Sequence, residues 1–282
     1  MRDTTKFVNS RLADSFQIDY QVTGEEIQAI LKDNQNFYYA LSTFEFNIFE
    51  FSSVVGRTMQ MPVLSTALIQ LNGLNGLIDQ NKFLQFMIQI YNGYKRSVEY
   101  HNDLHGSDVA QHCHYILRSQ NLGSYAKFDS FDTLSLIVAA LCHDVGHDGF
   151  NNKFHVVTES DRFLMYGDVN VQESFHVAET LKLLNSNEYD FVQSKMTPMQ
   201  AQHFRKRIVE CIIHTDMAEM KGLRNRLSKH MEAFEIANGQ NTDRLIDESS
   251  PKSIEETKQL VSSAILHACD ISTSLREFDV SA

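Results

Sequence analysis

Residues Leu134 to Cys142 constrain the fold of this chain more than any other stretch. Leu134, Leu136, Ile137, Val138 and Leu141 make a helix that is apolar nearly all round, so it has to be buried. His143 and Asp144 follow at once, and the end of that helix therefore delivers an imidazole and a carboxylate into the interior. A carboxylate charged in such a place needs a partner or a metal ion. The run is also far too short to span a bilayer.

The rest of the chain is built to surround such a helix. Phe83, Phe86, Met87, Ile90, Tyr91 and Tyr94 recur at three- and four-residue intervals, the stripe of a core-facing helix. Ile208, Cys211, Ile212 and Thr215 repeat the spacing. Ser250-Pro251 reads as a helix start, followed by Ile254, Val261, Ile265 and Ala268 as an apolar stripe leading to Asp270. Breaks are expected at 72–79, 121–124 and, most clearly, at 238–251. Sustained alternation over several segments is missing, so the expectation is a single compact all-α domain. The division expected is a leading extension or helix over 1–36 and the main domain over 37–282.

At 282 residues the chain can bury a sizeable core. A net charge of −11 argues against nucleic acid as the main partner, though not against a small anionic substrate held beside cations. Cys113, Cys142, Cys211 and Cys269 form no CxxC pair and read mostly as reduced core thiols. With no apolar segment at the N-terminus to act as a signal peptide and no membrane segment, the expected setting is the cytoplasm.

Chemistry concentrates in two short segments and one distant residue. YHNDLH (100–105) and HDVGH (143–147) each place two histidines four residues apart, His101 with His105 and His143 with His147. On a helix such pairs share one face. Two histidines with Asp144 and Asp270 would suit a zinc-like ion completed by water. A carboxylate can bridge to a second, more hydrated cation that is magnesium- or manganese-like. Each fragment alone is weak, since most i, i+4 histidine pairs bind nothing. His112, His114, His155, His203 and His230 lack a partner pattern and read as surface or structural. Tyr100, Phe154 and Met217 could be packing residues, and Cys142 and Cys269 core.

Taken together and in order, these segments closely resemble the catalytic domain of class I 3′,5′-cyclic nucleotide phosphodiesterases. YHNDLHGSDVAQ (100–111) matches the pattern YHN-x-x-H-x-x-DV-x-Q, and ALCHDVGHDGFNNKF (140–154) matches HD-x-x-H followed by G-x-x-N-x-F. YGDVNVQESFHVAETLKLL (166–184), IIHTDM (212–217) and HACDIS (267–272) resemble later family segments. The resemblance implies an HD-type helical fold and metal-dependent cleavage of the 3′-ester bond of cyclic AMP or cyclic GMP in cyclic nucleotide signalling. It implies His105, His143, Asp144 and Asp270 as ligands of the first metal, with Asp144 shared with the second. His101 would be the acid that protonates the departing O3′. Glu173, His147 and His176 would orient water at the metals, and Tyr100, Asn152 and Met217 would lie near the substrate. Zinc is expected in the first site and magnesium or manganese in the second, and a homodimer is compatible with the pattern.

The chain also departs from the family. Gly146 stands where many members have aspartate, Asp148 where proline is common, and Thr273 where some cyclic-AMP-preferring members have asparagine. The chain reaches only Ala282, so the family's last helices, with the glutamine and phenylalanine that grip the purine, are expected to be lacking. Two other readings stand beside the enzyme: a catalytically silent metal-binding or regulatory fragment, and another HD-family nucleotide phosphohydrolase.

Overall fold

The computed structural model describes residue 18 and residues 22–238 and 250–275. Within them the fold is helical, with no strand among the described residues. In chain order the helices are α1 (Gly24–Asp33), α2 (Gln35–Ala40), α3 (Ile48–Val55), α4 (Gln60–Leu71), α5 (Gln80–Gly93), α6 (Asp103–Arg118) and α7 (Leu122–Tyr125). They continue as α8 (Ser130–Cys142), α9 (Asn152–Val157), α10 (Asp161–Tyr166), α11 (Val171–Leu184), α12 (Pro198–Ile213), α13 (Met220–Asn238) and α14 (Pro251–Asp270). Two 3₁₀ turns add Asn75–Leu77 and Ile271–Leu275.

The central element is α8, packed against α4, α6, α12 and α14. Leu134, Leu136, Ile137, Val138 and Leu141 are fully buried, as an all-round apolar helix requires. Truncating one of these leucines to alanine would cost about 2–5 kcal/mol. Its start is fixed by a reciprocal cap: Asp129 accepts from the backbone of Phe131 and Asp132, and Asp132 accepts from that of Asp129. The partner helix α6 approaches through Gly106, where a Cβ would come within 2.5 Å of the Tyr94 hydroxyl. That hydroxyl donates to the carbonyl of Leu141 at 3.1 Å, one residue from the end of α8.

The stripe on α5 is buried as its spacing predicts, from Phe83 to Tyr94. Helix α14 begins at the expected cap, with Ser250 accepting from Ser253 N–H, but its inner face differs from the one expected. Val261, Ile265, Leu266 and Cys269 face the core, whereas Ala268 is exposed. The expected break at 72–79 is the short 3₁₀ turn and the Asp79 cap of α5, and the one at 121–124 contains the single-turn helix α7. Most of the 238–251 loop lies outside the described residues. In the leading segment, Ile27 and Leu31 of α1 join the same core as α5 and α8.

All four cysteines are buried free thiols. No helix among the described residues is long and apolar enough to cross a membrane.

Candidate metal centre

Three helix ends converge at one point. His105 sits in the first turn of α6, His143 directly after α8, and Asp270 in the last turn of α14. His105 Nε2 lies 2.9 Å from Asp270 Oδ1 and 3.3 Å from His143 Nε2. His143 Nε2 is 3.3 Å from Asp270 Oδ1, and Asp144 Oδ2 is 3.4 Å from His143 Nε2 and 3.6 Å from His105 Nε2. A cation about 2.1 Å from tetrahedral ligands would hold them about 3.4 Å apart, so His105, His143 and Asp270 already group at metal-ligand spacing, with Asp144 beside both imidazoles. His143 donates through Nδ1–H to the carbonyl of Ala140 at 2.8 Å, which leaves Nε2 as its free nitrogen. Asp144 Oδ2 is buried without a hydrogen-bond partner. These residues fit a divalent cation.

A second donor set shares Asp144. His176 Nε2 lies 3.7 Å from Asp144 Oδ1, and Asp144, His147 and His176 each offer an atom within 4.8 Å of the others. The two imidazoles are preset differently. His176 donates through Nδ1–H to the carbonyl of Val145 at 2.8 Å, leaving Nε2 bare. His147 accepts at Nδ1 from the Gly149 N–H at 3.0 Å, so in its neutral form Nε2 carries the hydrogen. One is arranged to give electrons, the other to give a proton.

The four-residue histidine spacing is not a shared helix face in either segment. Asn102 adopts an extended backbone and caps α6, its side chain accepting from Leu104 N–H and donating to the carbonyls of Val98 and Glu99. His101 therefore precedes the helix that carries His105. His147 likewise lies past the end of α8, across a turn in which Gly146 has φ +76°. His101 nevertheless comes to the site, its ring stacked on that of His147 at 4.1 Å. Tyr100 packs its ring 4.6 Å from His105 and shares a 2.7 Å hydrogen bond with Thr273.

Charge and burial set the protonation of the cluster. Burial opposes the charged form of His143, but Asp144 and Asp270 outweigh it and raise its pKa to about 9. Burial raises Asp144 and Asp270, yet the facing histidines win and hold both carboxyls low. His176 is pushed down to about 3 and His147 to about 4, in each case chiefly by burial. His101 is also lowered, because burial, together with His105 and His143, exceeds the pull of Asp144 and Asp270. Burial raises Glu173 to about 7, with Asp216 and Asp144 adding to the shift.

A family model described as 3′5′-cyclic nucleotide phosphodiesterase matches residues 100–282, which is more than half of the chain. The chain belongs to this family. A Caenorhabditis elegans protein named probable 3′,5′-cyclic-AMP phosphodiesterase pde-4 is 31% identical over 160 residues, 57% of this chain and 23% of that protein. The 3′,5′-cyclic-AMP phosphodiesterase 4C of Rattus norvegicus is 31% identical over 159 residues, 56% of this chain and 29% of its own length. The chain thus spans less than a third of these relatives. The solved structure of LmjPDEB1 in complex with IBMX superposes with a TM-score of 0.73 at 23% identity, covering 93% of this chain and 74% of that one. That likeness shows the same helical fold.

Around this donor cluster the structure adds residues that the motifs did not single out. Asn152 donates to Glu173 at 2.9 Å and to Asp216 at 3.1 Å, while its oxygen accepts from Gln172 N–H at 2.8 Å. Asp216 was hidden in IIHTDM beside Met217, which is 59% exposed. Arg162, Gln172 and Asp148 form a polar cluster behind His147. His155, expected at the surface or in a structural role, is buried between Ser160 and Asp148. His112 and His114 are buried too, while His203 is exposed.

Proposed function

We propose that this chain is the metal-binding catalytic region of a 3′,5′-cyclic nucleotide phosphodiesterase that cleaves the 3′-ester bond of cyclic AMP, cyclic GMP or both, in the cytoplasm. The observation that carries the reading is the convergence of His105, His143 and Asp270 at metal-ligand spacing, with Asp144 against both imidazoles and its Oδ2 buried without a hydrogen bond.

In this reading His105, His143, Asp144 and Asp270 would hold a first ion, and a donor set of two imidazoles and two carboxylates suits zinc. Asp144 would also help to hold a second ion, for which fewer protein ligands and more water suit magnesium or manganese. Bound there, two divalent cations supply activation of water near neutral pH and offset the phosphate charge. The protein does the rest. His101 gives its proton to O3′ as the P–O3′ bond breaks and water adds to phosphorus. An anionic phosphate beside His101 favours its protonated form, and the depressed proton affinity of the free imidazole makes the imidazolium a stronger acid. Glu173, raised to about 7, is poised to exchange a proton with nearby water. His147 stands beside Asp144 and His176. Tyr100, Asn152 and Met217 stand around the pocket for the substrate.

The test is hydrolysis of cyclic AMP and cyclic GMP by metal-stripped protein before and after addition of Zn²⁺ and Mg²⁺ or Mn²⁺. Metal-dependent release of 5′-monophosphate is the expected result. Metal uptake without turnover would favour a silent binding role, and hydrolysis of a nucleoside triphosphate with none of a cyclic nucleotide would overturn the substrate class.

A further inference from the structure

The turn at residues 146–150 carries His147. Gly146 and Gly149 both have positive φ, +76° and +87°, so two of its positions are conformationally permissive. Locally it is tied by His147 N–H donating to the carbonyl of Asp144 at 3.0 Å and by Phe150 N–H donating to Asp148 Oδ1 at 3.3 Å. Further contacts reach it from outside, from α10 and α11.

Arg162 of α10 makes three polar contacts there. Nη2 donates to the carbonyl of Gly146 at 2.7 Å, Nη1 donates to Gln172 Oε1, and Nε lies 3.5 Å from Asp148 Oδ2. The flat face of the guanidinium lies 3.8 Å from the centre of the Phe175 ring, and the same ring closes over Gly146, where a Cβ would come within 2.7 Å of it. Gln172, fixed by Arg162 through its oxygen, spends its amide nitrogen on Asp148 Oδ1 at 2.9 Å and on the carbonyl of Phe150 at 2.6 Å. His155 supports Asp148 from the far side at 3.3 Å. Both sides of His147 are thus gripped, and the grip ends one residue from the Gly149 N–H that sets the imidazole's tautomer.

We propose that Arg162 is a positioning residue, a planar clamp that, directly and through Gln172, whose amide nitrogen lies 3.5 Å from His147 Nε2, holds His147 beside Asp144 and His176. A fork of donors can bind a carbonyl, an amide and a carboxylate at once, which an ammonium cannot. The inference rests on the metal reading above for its functional consequence, but the clamp itself has a readout of its own.

The experiment compares wild type, Arg162→Ala, Arg162→Lys and, as a control for general loosening, Asp132→Asn at the opposite end of α8. ¹⁵N-histidine spectra at pH 7.5 should show His147 as the Nε2–H tautomer in wild type and in the control. Arg162→Ala should show a mixture of tautomers. Mn²⁺ titration by calorimetry should show the weaker site losing about tenfold in affinity in Arg162→Ala, with a smaller loss in Arg162→Lys. An unchanged His147 spectrum in Arg162→Ala, or equal changes in the control, would overturn the clamp. If Arg162→Ala does not fold, Arg162→Lys decides by the same criteria. Wild-type protein that binds no Mn²⁺ would sink the metal reading instead, leaving the clamp to be judged by the spectrum.

Discussion

The two ends of α8 both bury charge, and they do so in opposite ways. At the start, Asp132 receives Lys258 Nζ at 2.7 Å and Arg207 Nη2 at 2.8 Å, and Glu255 completes the group through Arg207. Anions and cations alternate, so the cluster supplies its own counter-charge, although Arg207 Nη1 is buried without a hydrogen-bond partner. At the other end Asp144 and Asp270 face only imidazoles, and among the described residues neither meets a lysine or arginine. A structural ion cluster brings its own counter-charges. A metal centre brings electron donors and leaves the positive charge to be supplied.

The strongest test of that distinction is Asp270→Ala, which should empty the first metal site and remove turnover, read by metal analysis and cyclic nucleotide hydrolysis on one sample. Full metal content in that variant would break the comparison. His101→Ala should keep the metal and slow turnover by about 10²–10⁴-fold, the range for loss of a general acid; loss of metal would remove it from that role. At the start of α8, Asp132→Asn should cost about 3–5 kcal/mol in denaturant unfolding, because Arg207 and Lys258 lose their buried carboxylate. Its folded fraction should keep normal metal stoichiometry. A smaller effect sharpens the contrast through pH. His143 in metal-free protein has its pKa raised to about 9 from 6.5, so its ion pairing is fully present below about 6.5 and is lost as pH rises through 9. Metal-stripped protein should therefore lose thermal stability over that window, and metal binding at pH 7 should release a proton that buffer-dependent calorimetry detects. Absence of proton release would show that His143 is not protonated in the stripped site.

Much of this was legible because it depended on local pattern. An all-round apolar run ending in His143-Asp144 has few ways to be placed, and the α5 stripe reads directly from spacing. The order of the motifs located the donors, though not their geometry. Four-residue histidine spacing suggested helix faces, whereas Asn102 ends one segment's freedom to be helical and Gly146 the other's. The inner face of α14 was misjudged at Ala268, since an alanine carries too little apolar surface to reveal which way it points. Asp216, Gln172 and Arg162 were missed for another reason. Each acts on a residue far off in the chain or across a turn, and polar residues spaced in that way leave no periodic trace. At His101, burial and neighbouring histidines decide the balance, and neither is visible until the rings stack.

The contributors to the first donor set stand far apart along the chain, with His143 separated from His105 by 38 positions and Asp270 from His105 by 165. An ion held there would act as a removable rivet through α6, α8 and α14. Its occupancy would tie their docking into one cooperative event, so that chelation weakens the middle of the protein as well as its chemistry.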